Sequence, residues 1–364
     1  CTNFYFESEQ PDEDIVDEVT GEIFKGMRQY GFCKEHRPNP IVEMGLFMDS
    51  RGIPITMCLH PGNTSEQLTA IPLEKEVMKM LPDAKFIYCA DAGLGSYNIR
   101  KFNSMGGRAF IVTQSIKKMS DVLKEAVFND YDYRLLSTDG PVTINAMKNF
   151  DRFDDKNLGL YNDFAYKVVE ADKSLDLGLY EDVTLKNGRT VKRKARGILK
   201  QRIIITFSRK VMEYQKAVRS RQIERAKKLL GLKDPEEIKK GPNDVKRFLK
   251  RTAKTTSGED VVVEYILDED KIAKEEKYNG YYAVATNLLD PAKDILAVSN
   301  KRYQIEECFR IMKTNFDGRP VNHRLRERIR AHFLICYTAL LVYRLLEAQL
   351  DDKGTHITTE NLIT

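Results

Sequence analysis

The chain has little of what marks several large protein classes, and each shortage narrows the reading. Its six cysteines, at positions 1, 33, 58, 89, 308 and 336, include no Cys-x-x-Cys pair, which argues against a zinc ribbon or a disulfide framework. The lone Cys33-x-x-His36 pair has no second half, so no metal is assigned to it, and a reducing cytoplasm suits this cysteine usage. No apolar run reaches the ~20 residues needed to cross a bilayer. The longest, residues 333–343, is cut by Arg344 and reads as a buried helix, so no membrane is expected as a partner. Signal-peptide pattern, internal repeat and low-complexity tract are all missing. With 364 residues, 42% of them hydrophobic and 31% charged, disorder and collagen are excluded and two or three domains are expected. Residue 1 is Cys rather than Met, and Thr359-Glu-Asn-Leu-Ile-Thr364 reads as the start of a capped helix, so a fragment is expected.

What the chain does have is charge, unevenly spread. The net charge is only +5, yet residues 186–254 hold 24 Lys and Arg against 6 Asp and Glu, a local +18 that leaves −13 for the rest. Such asymmetry points to a basic module whose natural partner is a polyanion, above all nucleic acid. The blander alternative is a solvated charged helix.

Residues 2–8 alternate aromatic and polar side chains as a strand does, and residues 41–48 and 53–59 are two β-prone runs joined by Asp49-Ser-Arg-Gly52, a hairpin signal. Three antiparallel strands are therefore expected to open the chain, the first parted from the other two by a loop ending in Lys34-Glu-His-Arg-Pro-Asn-Pro40. A helix is predicted over 66–81, a short buried strand over 85–90, a short helix around 97–104 and a strand over 108–113. From about 115 to 275 the character changes, with scattered β-prone runs (202–207, 261–266) and a basic helical stretch at 208–230, which reads as an insertion. A core strand resumes at 279–287. Asp290-Pro291 introduces a helix running to about 314, and a second long helix covers 324–350. Antiparallel strands first, then strands joined through helices, are compatible with an RNase H-like α/β core. The expected domains are residues 1–115 and 276–364 for that core and 116–275 for a largely β insertion carrying the basic helix.

Two places carry chemistry. Asp91 follows a buried strand at a Gly-containing turn, where open α/β sheets present their ligand groups; a helix cap or turn residue is the plainer reading. In Asn300-Lys-Arg-Tyr-Gln-Ile-Glu-Glu-Cys-Phe-Arg-Ile-Met-Lys-Thr314, helical spacing puts Arg302, Glu306, Arg310 and Lys313 on one face, beside an apolar stripe of Ile305, Phe309 and Met312. One acid among three bases is either an exposed face laced with ion pairs or a metal-binding carboxylate among phosphate-gripping cations.

This segment resembles the C-terminal signature of bacterial insertion-sequence DDE transposases, Tyr-x2-Arg-x3-Glu-x6-Lys. Arg302, Glu306 and Lys313 match its last three members, and Ser299 stands at the Tyr position. The blocks Cys1-Thr-Asn-Phe-Tyr-Phe-Glu7, Gly45-Leu-Phe-Met-Asp-Ser-Arg-Gly-Ile-Pro54, Pro61-Gly-Asn-Thr64, Ala90-Asp-Ala-Gly-Leu94 and Arg328-Ile-Arg-Ala-His332 extend the resemblance along nearly the whole chain. It implies an RNase H-like core in which two Asp and one Glu hold two Mg²⁺ ions, for which Mn²⁺ can substitute. Asp91 would be the second Asp and Glu306 the Glu. The first belongs to an Asp-x-Thr block whose Thr matches Thr2, which places it directly before Cys1 and outside this sequence. Asp49 is a poor substitute, since its hairpin turn is expected at the far end of a strand from the site.

The resemblance further implies cleavage and strand transfer at insertion-sequence ends. Double-stranded DNA would be the partner, the protein would be a homodimer in the DNA complex, and the location would be the bacterial cytoplasm at the nucleoid. The fragment itself would be inactive for want of the first Asp. Arg209, Lys210, Arg219, Arg221 and Arg225 of the basic helix, with Arg302, Arg310 and Lys313, are the expected DNA-binding residues. A catalytically dead or domesticated DNA-binding remnant is the alternative. An RNase H-type nuclease would share the carboxylates without needing 215 residues between Asp91 and Glu306.

Overall fold

The computed structural model describes all residues except 17, 19, 22, 34, 187–189, 231–243, 257–259, 356–358, 360 and 362–364, and only the backbone of 15, 24, 251–256 and 260–264. Lys34 of the basic loop, part of the basic 186–254 segment and most of the helix start expected at 359–364 lie outside the described residues. Two compact units emerge. The first joins Cys1–Thr113, Asp172–Gln201 and Ala285–Thr364; the second joins Gln114–Ala171 and Arg202–Val284. The insertion expected as one block is thus interrupted, because residues 172–201 return to the first unit.

In the first unit the strands Thr2–Tyr5, Ile41–Met48 and Pro54–Pro61 form an antiparallel sheet, as their alternation and the intervening turn predict. Val42, Met44 and Leu46, two apart, share one buried face with Phe4. Ile329, Phe333, Cys336, Leu340 and Tyr343, spaced by three and four residues, form a stripe along the helix Arg326–Asp352 in the same core. Phe4 and Phe333 meet edge to face at 4.9 Å between ring centroids.

That helix, by length and composition, is long and apolar enough to cross a membrane. The apolar run is expected from sequence to stop at Arg344, but Arg344 is itself buried against the carboxylates of Glu307 (2.9 Å) and Glu347 (2.5 Å). One helix face therefore packs into the core while Leu334, Ile335 and Val342 remain exposed.

The helix Glu66–Met80 leads into the strand Ile87–Ala90, which pairs in parallel with Ala109–Thr113 across the short helix Tyr97–Phe102. Both parallel and antiparallel pairings are present, in a mixed α/β fold. In the second unit the strand Tyr281–Thr286, as far as Val284, and the strands Arg202–Phe207, Ala165–Glu170, Tyr133–Leu135 and Pro141–Val142 lie side by side in that order. The last four pair antiparallel. The basic helix Arg209–Leu229 buries Ala226 in a small core with Phe248, Leu249 and Ile272.

Candidate active site

Asp91 stands one residue past the end of the strand Ile87–Ala90, exposed, as the strand-end reading anticipates. Its Oδ1 accepts the backbone N–H of Gly93 (2.9 Å) and of Leu94 (3.1 Å), an Asx turn that fixes the carboxylate on its own loop. Three side chains hold that loop from outside. Gln67 Nε2 donates to the Gly93 carbonyl (2.7 Å), Tyr88 Oη to Leu94 O (3.3 Å) and Arg100 Nε to Gly95 O (3.0 Å). Arg100 is almost wholly buried, and burial pulls its guanidinium down to about 9. None of the three is marked by spacing in the sequence; only the folded loop shows what they hold.

The helix predicted to run from residue 290 to 314 is broken into three. Ala292–Asn300 ends at a turn, Tyr303–Arg310 follows, and Ile311–Asn315 widens into a π turn. This breaks the single face inferred from 100° spacing, since Arg302 precedes its helix and Lys313 lies in the wider turn. Arg302 turns inward: Nη1 donates to Ala90 O (3.2 Å) and Thr113 Oγ1 (2.6 Å), and Nε to Ser299 O (2.9 Å). It spans the carboxyl ends of two adjacent parallel strands, one of them ending directly before Asp91. Glu306, four residues on, is exposed in the first turn of its helix. Lys313 also points inward, to Glu35 (3.6 Å) and over the Phe4 ring (5.2 Å). Arg310 alone of the three bases is exposed, beside Glu307 (3.9 Å) and Asn315 (3.4 Å). The apolar stripe behaves as its pattern requires: Phe309 and Met312 are buried and Ile305 packs against them.

Near this centre burial pushes the Cys89 thiol up to about 11 against the opposing pull of Arg302, which favours the protonated form at neutral pH. The hairpin turn at Asp49 lies closer than strand geometry suggests. Lys301 Nζ donates to Ser50 O (3.2 Å), and the Gln304 side chain would meet a Cβ on Gly52 at 3.1 Å. Asp49 Oδ1 nonetheless closes its own turn, accepting from Arg51 N (2.8 Å) and Ile53 N (2.9 Å).

On the basic helix of the second unit the cations divide. Lys210, Arg221 and Arg225 are exposed. Arg209 turns back to Glu213 (2.7 Å), and Arg219 donates to Asn279 Oδ1 (2.7 Å) and lies 3.7 Å from Glu275. Arg209 and Arg219, read from sequence as DNA-facing, are engaged inside their own unit.

Asp91 and Glu306 offer the hard oxygen ligands that Mg²⁺ prefers. Among the described residues, however, no group of three or more His, Cys, Asp or Glu is placed to hold a metal ion, so these acids alone do not make a complete two-ion centre.

No curated protein matches the chain. The family model described as the transposase DDE domain does, over residues 25–342, and the mixed α/β fold accords with the RNase H-like core expected of such a domain. The match takes in both Asp91 and the helix of Glu306, and by it the chain belongs to the transposase DDE domain family.

Proposed function

We propose that the chain acts on insertion-sequence ends, cleaving and transferring DNA strands, with Asp91 and Glu306 as two of the acids at its centre. The observation that carries this reading is the Arg302 clasp, which ties the residue before Asp91 to the turn before Glu306 across two strand ends. Arg302 and Lys313 then act as positioning residues. The exposed Arg310, Lys210, Arg221 and Arg225 face DNA phosphates, with Arg209 and Arg219 supporting the basic helix from within. The third acid is the Asp-x-Thr carboxylate in register with Thr2. Divalent ions, which the family uses, would contribute Lewis-acid stabilisation of an in-line displacement when bound. A homodimer on DNA and a place at the bacterial nucleoid belong to the same reading.

The second reading, a DNA-binding remnant without chemistry, draws on Ser299 in place of Tyr. Nicking of duplex DNA carrying the element's terminal repeats, with Mg²⁺ or Mn²⁺, separates the two. The chain preceded by one Asp should nick, the chain as it stands should nick poorly, and Glu306→Gln in the extended chain should lose about 100-fold or more. Robust nicking unaffected by Glu306→Gln overturns the site. Binding without nicking by any form selects the remnant.

A further inference from the structure

The segment 172–201 of the first unit carries an antiparallel pair, Tyr180–Thr184 with Thr190–Lys194. Its base is fastened to the helix Tyr97–Phe102: Arg100 Nη1 donates to Gln201 Oε1 (2.8 Å), and Asn98 Nδ2 to Asp182 O (3.4 Å). Gly197 lies so tightly against the Tyr97 ring that no side chain fits there. Lys192, Arg193, Lys194 and Arg196 are all exposed. Glu181 and Asp182 stand in register with Arg193 and Lys192, yet none of these six residues forms an ion pair among the described residues.

One of these cations reaches the Asp91 loop. Lys192 Nζ donates to Gln67 Oε1 (3.2 Å), while Gln67 Nε2 donates to Gly93 O (2.7 Å), and the Gly93 N–H is itself held by Asp91. An ammonium has three donors, so Lys192 can keep Gln67 and still offer two to a phosphate oxygen. Gln67 is an amide, able to accept at one end and donate at the other, and so joins a cationic strand to a loop carbonyl.

We propose that the Thr190–Lys194 strand, with Arg196, grips backbone phosphates of the DNA strand presented to Asp91, and that Gln67 is a positioning residue through which an occupied grip steadies the Asp91 turn. The proposal rests on the transposase reading and adds to it a phosphate-binding strand within the unit that holds Asp91, apart from the basic helix. Bare phosphate backbone is the complementary ligand, since Lys192, Arg193, Lys194 and Arg196 are four exposed cations within five residues.

The test uses the full chain and a duplex bearing the terminal repeats. Arg193→Gln, Lys194→Gln and Arg196→Gln combined should flatten the log–log salt dependence of binding by up to about 2.7, near 0.9 for each phosphate that is no longer neutralised. Gln67→Leu should leave that slope nearly unchanged. In the parent, DNA should slow amide exchange at Gly93 and Leu94 by about fivefold or more, and Gln67→Leu should abolish this DNA-dependent slowing. A merely structural Gln67 would alter exchange equally with and without DNA. An unchanged slope in the triple variant overturns the grip, and DNA-dependent protection that survives Gln67→Leu overturns the coupling. A parent chain that binds no duplex overturns this proposal and the transposase reading together, whereas normal parent binding beside an unaffected triple variant removes the grip alone.

Discussion

Glu74 is buried in the helix Glu66–Met80, where its Oε2 accepts from Asn103 Nδ2 (2.8 Å) and its Oε1 has no partner. Burial raises its carboxyl from 4.5 to about 7, against the Asn103 hydrogen bond and the charge of Arg108. Below about pH 4.5 the group is protonated in folded and unfolded chains alike and costs nothing. Between 4.5 and 7 the unfolded chain ionises while the folded one keeps its proton, so stability falls as pH rises. Above 7 the penalty is complete, at about 3 kcal/mol by the 1.36 kcal/mol that each pH unit represents.

Glu74→Gln removes this dependence but puts an amide where Oε1 had no partner, a cost of about 1–3 kcal/mol that does not vary with pH. The variant should therefore be less stable than the parent at pH 4 and level with it or more stable at pH 8, with about 3 kcal/mol between the two differences. Hydrogen exchange of the 66–80 segment in parent and variant at matched pH reads this, because intrinsic exchange rates cancel in the ratio. Parallel stability profiles for the two proteins would refute the reasoning.

Arg302→Gln should destabilise the first unit by about 2–3 kcal/mol, since it removes charge-assisted bonds to Ala90, Thr113 and Ser299 that water only partly replaces. Urea unfolding would show it, and a change under about 0.5 kcal/mol would count against the clasp. Arg219→Gln should cost the second unit about 1–3 kcal/mol by leaving Asn279 Oδ1 without its donor, while Glu275 keeps Arg247 (3.3 Å), an effect visible in local exchange of the 269–284 region. Lys210, Arg221 and Arg225 changed together to Gln should leave stability within about 0.5 kcal/mol and reduce the salt slope of DNA binding by up to about 2.7.

Much of this architecture is legible in the chain because periodicity reports burial. The hairpin strands 41–48 and 54–61, the helix from 66 and the strand ending before Asp91 follow from which side chains alternate or recur every three or four residues. The same rule fails at 290–314, where Ile295, Leu296, Phe309, Ile311 and Met312 keep an apolar pattern through a turn and a π widening that the pattern does not record. Charge is less legible still. Arg219 and Arg221 are indistinguishable as letters, and only the positions of Asn279 and Glu275, more than fifty residues on, make one internal and leave the other exposed. The hairpin beside Asp91 escapes for a similar reason. Its strands are only five residues long and mostly polar, and its place in the first unit is set by Arg100 and Tyr97, about a hundred residues away in the chain.

Under the proposed function Asp91 and Glu306 serve one metal-binding centre. Fe²⁺ in place of Mg²⁺, with ascorbate and peroxide, cuts a polypeptide near the bound ion, and cuts map where that ion sits. Two clusters of cuts are expected, around residues 91 and 306, each suppressed by either Asp91→Asn or Glu306→Gln. Cuts at only one of the two places, or clusters that respond to the two substitutions independently, would contradict a shared centre.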